Sequence, residues 1–315
     1  MVNLEGVTSM LINTLRYLSL CLIFATASAQ EYKMYKVDWK PVESMKAEME
    51  QLKAQQKADR ESLTVEDLGK VVELLDRMIE KHPEWVDGYW QFAAASFEQA
   101  SSYNDEKDHP KARAILVKGQ LATEKCLKME PKNPLCKFFK GSMIAKIASI
   151  DGIFSALREA ENVEKLWLEA ANSGYDYKFQ PNISMQGSVR YALGLFYRLV
   201  PDFYLVELFF NVRGNIEKSI VYHRGSVKVD GENSCNMLML SVAMICKEEG
   251  SKETKVGQEG FAWLDKTATN KAPTPPLKIC KSDAVKIKAD PTMSCGYTMA
   301  KQQETDPDKV KEMSH

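Results

Sequence analysis

From Thr64 onward the apolar residues of this chain recur at intervals of three and four, in runs closed at short spacing by Pro or Gly. Leu68, Val71, Val72, Leu75, Met78 and Ile79 share one helical face, and Thr64 with Asp67 has the form of a capping box, which predicts a helix ending near Lys81. Upstream, Val42, Met45, Met49 and Leu52 form a shorter stripe, enough for one docking helix but not for a coiled coil. Strand-like alternation bounded by hairpin turns is hard to find. The pattern predicts an all-α protein.

The helical runs also repeat. Counting from a closing Pro83, the sixth, ninth and tenth positions are Tyr89, Phe92 and Ala93; from Gly231 they are Met237, Leu240 and Ser241. After Pro131 the same offsets hold Lys137, Lys140 and Gly141, where only the small residue fits, and a fourth segment carries Leu193, Gly194 and Tyr197. These large-large-small sets resemble the first helix of a tetratricopeptide repeat, where the small residue lets a second helix approach. The second helices agree in part, with Gly119 and Cys126 before Pro131 and Ser219 and Ser226 before Gly231; Val163, Trp167 and Ala170 can be set in the same frame. Cys126, Ala170 and Ser226 stand 44 and 56 residues apart, against about 34 for a strict repeat. The expectation is therefore a TPR-like helical-repeat solenoid with irregular repeat lengths and insertions; the alternative is an all-α bundle with chance matches.

The N-terminus bears on compartment. Tyr17 to Ala25 is an apolar run behind Arg16, followed by Ala27-Ser28-Ala29, which reads as a signal peptide over 1–29 cleaved after Ala29, with Met10 the better start. The run is too short for a spanning helix, and Leu20 before Cys21 disfavours a lipoprotein. The mature chain would keep Cys126, Cys136, Cys235, Cys246, Cys280 and Cys295, an even set that suits disulfides in an oxidising compartment, with buried thiols as the alternative. Cys126 and Cys136 end one helix and begin the next, so they form a candidate disulfide. Cys235 and Cys246 bracket one helix about 16 Å long and need partners elsewhere. The division that follows is 1–29 signal peptide, 30–62 N-terminal helical segment, 63–271 repeat domain, and 272–315 a Cys-, Pro- and Lys-containing tail.

The order of "HPEWVDGYWQFAAASF", "EKCLKMEPKNP", "ALGLFYRLVPDF" and "GNIEKSIVYHRGSVKVDGEN" behind a signal peptide resembles the tetratricopeptide proteins associated with TRAP-type transporters of bacterial periplasms, over roughly 63–271. A more distant likeness is to eukaryotic helical-repeat regulators of microtubules, a setting that an export signal argues against. The resemblance implies a periplasmic or secreted solenoid that cooperates with a solute-binding protein and passes or holds a small apolar ligand. The chain departs from lipoprotein members in having Ala29-Gln30 where they carry a lipidated Cys, and the resemblance gives no guide beyond Ala272.

Chemistry of the enzymatic kind is not written here. There is no GxSxG, HExxH, Walker-type loop or GxGxxG, and the four histidines His82, His109, His223 and His315 are scattered away from any Cys cluster. Trp85, Tyr89, Trp90 and Phe92 read as helical core before they read as a ligand box, and a lone His223 reads as structural. Lys plus Arg number 42 against 43 Asp plus Glu, which argues against nucleic acid as a partner. The expectation is a non-enzymatic binding protein without cofactor or metal; a scaffold unrelated to transport is the alternative, and an uncharacterised hydrolase a remote one.

One segment fits no helix pair. Phe203 to Val212 holds eight apolar residues around the single charge Glu207, between Pro201 and Gly214-Asn215. That punctuation places it as an insertion between the two helices of one repeat. Tyr204, Leu205, Leu208 and Phe209 are the candidate surface, lining a ligand groove or meeting a partner or second subunit; the alternative is that the segment folds back over the repeat core.

Overall fold

Thr64 caps the first long amphipathic helix: its hydroxyl accepts from Asp67 N, while the Asp67 carboxylate accepts from Thr64 N. In the computed structural model, residues 31–58, 64–103, 105–272, 274–299 and 302–303 are described. Residues 1–29, read above as a signal peptide, and the expected cleavage after Ala29 lie outside the described residues. Twelve α-helices make up most of what is described, with very little strand, so the fold is all-α.

The helices are α1 Glu43–Ala58, α2 Val65–Lys81, α3 Val86–Ser101, α4 His109–Met129, α5 Pro134–Asp151, α6 Ile153–Ala171, α7 Met185–Leu199, α8 Tyr204–Phe210, α9 Ile216–Asp230, α10 Ser234–Lys247, α11 Lys255–Thr269 and α12 Pro275–Ala289. Side-chain caps start many of them: Asn133 accepts from Leu135 N and Cys136 N, Asn215 from Lys218 N, and Thr254 from Gly257 N. Gly231 ends α9 at a φ of 66°, a conformation that favours glycine.

From α3 on, the short insert helix α8 apart, each helix packs on the next, and α3, α5, α7, α10 and α12 also touch in succession. Two layers result, with α4, α6, α9 and α11 forming the second. The layers approach closely because the contacts are small. A Cβ on Gly119 would lie 3.0 Å from Met143 Sδ, and one on Gly141 would lie 2.7 Å from Trp167 Nε1. Across the layers, Ser219 Oγ donates to Gly194 O at 2.7 Å, Ser226 Oγ to Gly187 O at 2.8 Å and Ser241 Oγ to Gly260 O at 2.6 Å. Tyr89, Phe92, Ala93, Cys126, Leu193 and Tyr197 are all buried in the core between them. Lys137, in a position where the repeat frame wants a large apolar residue, instead pairs with Glu169 at 2.7 Å.

Three disulfides staple the array: Cys126 to Cys136 between α4 and α5, Cys235 to Cys280 between α10 and α12, and Cys246 to Cys295. Cys235 and Cys246 thus each take a partner outside their own helix. The stretch from 272, expected as a tail, is corrected in its described part. Leu277, Cys280, Ala284 and Ile287 recur at helical spacing and are buried, so α12 is packed as part of the array.

The first layer is covered by the chain's own irregular segments. A small hairpin, Lys178–Gln180 with Ile183–Ser184, sets Tyr177 and Phe179 against Trp90, and Phe179 also against Phe138 and Phe139. At the other end, buried Arg198 on α7 donates from Nη1 to Ser294 O and Cys295 O and from Nη2 to Tyr297 O, while Tyr297 OH donates to Asp283 Oδ2.

Candidate interaction face

The insertion begins where Pro201 follows α7 and ends at Gly214, whose N–H donates to Pro201 O at 3.3 Å. A Cβ on Gly214 would stand 2.0 Å from Val200 O, so only glycine lets the two ends of the insert meet. Asn215 N then donates to Tyr197 O at 2.8 Å and Asn215 caps α9. Between these ends α8 makes two turns and is closed by Asn211 in the left-handed region at a φ of 54°.

α8 is apolar on both faces, and one neighbour can cover only one of them. Val206 and Val212 are buried against Leu157 and Ala160 of α6, with Phe196, Val200, Phe203 and Phe210 packed around them. Asn211 Nδ2 donates to Glu161 Oε1 at 2.6 Å and fixes the end of the helix to α6 as well. The other face lies in solvent: Tyr204 is 65 % exposed, Leu205 44 %, Leu208 57 % and Phe209 72 %. Spacings of three and four put these four side chains together on one side. Large apolar side chains exposed together in this way are the kind of surface that marks interaction sites.

Beside the face is a polar notch of about 320 Å³ lined by Asp202, Glu207, Arg213, Gly214, Asn215 and Lys218. Its charges serve one another, since Arg213 pairs with both Asp202 and Glu207, and the hydrogen bond to Asp202 is the main cause that raises the Arg213 pKa. Lys218 lies over the Tyr197 ring at 4.8 Å. No cluster of His, Cys, Asp or Glu suited to a metal occurs among the described residues, and no described helix is long and apolar enough to cross a membrane.

The remaining sequence candidates lie elsewhere. Tyr89, Phe92, Ala93, Gly119, Cys126, Gly141, Leu193, Gly194, Tyr197, Ser219 and Ser226 occupy the contacts between helices, away from the α8 surface except that Tyr197 leads into the insert. Trp85 and Trp90 are core, and Trp90 stacks on Phe139. His223 is buried over Gly194, with neither ring nitrogen hydrogen-bonded among the described residues. Sequence reasoning missed Asp87 and the segment 35–39 that it holds. Comparison with protein-family models and with curated proteins finds no match for this chain.

Proposed function

We propose that this chain is an exported, non-enzymatic helical-repeat binding protein of the tetratricopeptide type, and that Tyr204, Leu205, Leu208 and Phe209 form its partner surface. The observation that carries the proposal is the exposed side of α8, held in place from behind by Val206, Val212 and the Asn211–Glu161 hydrogen bond. A rigidly backed apolar patch loses little conformational entropy on binding, unlike a loose loop of the same composition. Three disulfides support a life in an oxidising compartment, the periplasm or outside the cell, in keeping with a signal peptide over 1–29. The succession of two helix layers with small residues at their crossings supports the repeat reading.

Within this reading the partner is a protein of the same compartment with an apolar cleft, as a TRAP-type solute-binding protein would be. A small apolar ligand and a second copy of the chain are the other occupants that such a face fits. The test is Leu205→Ser with Phe209→Ser in the full chain. The double variant is expected to keep its helical circular dichroism and melting temperature, since exposed substitutions cost within about 0.5 kcal/mol. It should lose binding of an apolar fluorescent probe or show a smaller mass in sedimentation. Unfolding of the variant, or a folded variant with probe binding and mass both unchanged, would overturn the assignment.

A further inference from the structure

Residues 35–38 cross the first helix layer as irregular chain, and Trp39, in the right-handed helical region, caps the 3-10 turn Lys40–Val42. Tyr35, Val37 and Trp39 turn inward and are half-buried, while Lys36, Asp38 and Lys40 are exposed. Their contacts converge on Asp87, a buried carboxylate in the first turn of α3. Asp87 Oδ1 accepts from Tyr35 OH at 2.7 Å and from Trp90 Nε1 at 2.8 Å, and Oδ2 accepts from Asp38 N at 2.7 Å. Asn133 Nδ2 donates to Tyr35 OH at 2.9 Å, Trp85 Nε1 to Asp38 O at 2.6 Å, and Tyr35 N donates to Asp176 O at 2.7 Å. The Trp39 ring packs 5.4 Å from that of Trp85.

The division of labour in these bonds is that of peptide recognition. Three of the groups held, Tyr35 N, Asp38 N and Asp38 O, are main chain, which any extended segment offers. Specificity resides in two side chains four residues apart, a phenol on Asp87 and Asn133 and an indole on Trp85. Asp176 O apart, which lies in the short strand Tyr175–Asp176, the receiving groups sit on the helix array, whereas the held segment contributes only half-buried side chains, so its opening costs little of the global stability. We propose that this face of α3 and α5 is a binding site for a Tyr-x-x-x-Trp peptide whose chain turns at the Trp, and that residues 35–39 are its resident, exchangeable occupant. When the resident leaves, Asp87 loses two of its three donors and the site is open to a segment of the same chemistry from another chain. This inference does not draw on the α8 face.

The experiment uses the full chain and a fluorescent peptide of residues 31–42. Tyr35→Ala with Trp39→Ala should weaken the resident, and the peptide is expected to bind this variant at least tenfold more tightly than it binds the wild type. Adding Asp87→Asn should then reduce that binding by tenfold or more. A folded variant that binds no peptide, or binding indifferent to Asp87→Asn, would overturn the proposal. Hydrogen exchange of the wild type decides the matter even if the variant does not fold. The Tyr35 and Asp38 amides are expected to exchange by local opening, well ahead of amides at the centre of α3; exchange only with global unfolding would show the segment to be fixed core.

Discussion

A Cβ placed on Gly194 would lie 2.6 Å from both Cε1 and Nε2 of His223, so the imidazole rests directly on the backbone of α7. The Ser219 bond to Gly194 O lies at the same crossing. Gly194→Ala is expected to destabilise the protein by about 1 to 3 kcal/mol through overpacking, outweighing a helix-propensity gain of about 1 kcal/mol. Gly225→Ala on α9 makes the control, because its Cβ would meet only the side chain of Arg190, at 2.9 Å. That variant should hold or gain stability, and urea denaturation of the two proteins gives the contrast.

Burial pushes the pKa of His223 down to about 3, and the nearby Arg198 charge pushes the same way. Unfolded, the group titrates at about 6.5. Below that value the unfolded chain takes up a proton that the folded chain refuses, so stability is full above pH 6.5 and falls as the pH drops toward 3, by up to about 1.4 kcal/mol per unit. Asp230, whose pKa burial raises, acts in the opposite sense, so the test must be a comparison. His223→Leu should flatten the fall in urea midpoint between about pH 6.5 and about pH 4.5 relative to wild type. Equal slopes for the two proteins would remove His223 as the cause.

The disulfides close loops of different size, 10 residues for Cys126–Cys136 and 49 for Cys246–Cys295. By the chain-entropy relation, replacing each pair with Ala is expected to cost about 3 and about 4 kcal/mol respectively. Denaturant melts without reductant measure both losses. In the second variant, hydrogen exchange around Ser294 to Tyr297 should also rise, since the segment loses its covalent tie to α10 and keeps hydrogen bonds such as those to Arg198 and Asp283.

Val206 and Phe209, one turn apart on one short helix, differ sharply in exposure, at 2 % and 72 %. Val206→Ala should cost about 1 to 2 kcal/mol by leaving a gap against Leu157 and Ala160. Phe209→Ser should change stability by no more than about 0.5 kcal/mol. Thermal melts of the two single variants show whether α8 is backed as described.

The helix pairs were legible because their signals are local. Apolar spacing, a Thr64–Asp67 cap and small residues such as Gly141, Gly194, Ser219 and Ser226 all lie within a few turns of what they specify. The four exposed residues of α8 could be named from sequence, but the two-sided character of that helix could not, since which side α6 covers is a tertiary fact. What was missed is non-local or very short. Tyr35 meets Asp87 and Asn133 at separations of 52 and 98 residues. Even so, Tyr35, Val37 and Trp39, and later Tyr175, Tyr177 and Phe179, alternate with polar residues at a period of two that could have been read. The Pro- and Lys-rich composition after 272 hid the Leu277, Cys280, Ala284, Ile287 stripe in the same way.

The bond between Cys246 and Cys295 also decides how the molecule carries a mechanical load. Tension applied along the chain reaches Cys235 and passes α11 by two routes, along α10 to Cys246 and across to Cys295, or across to Cys280 and along the end of α12, so α11 bears none of it. Stretched from its ends, the protein would yield first in the helices before α10, while α11 and the start of α12 remain a slack, folded loop tied at its neck. Reducing both Cys246–Cys295 and Cys235–Cys280 would put that loop in series with the rest, and the contour length released on pulling would grow by about the 49 residues now bypassed between Cys246 and Cys295.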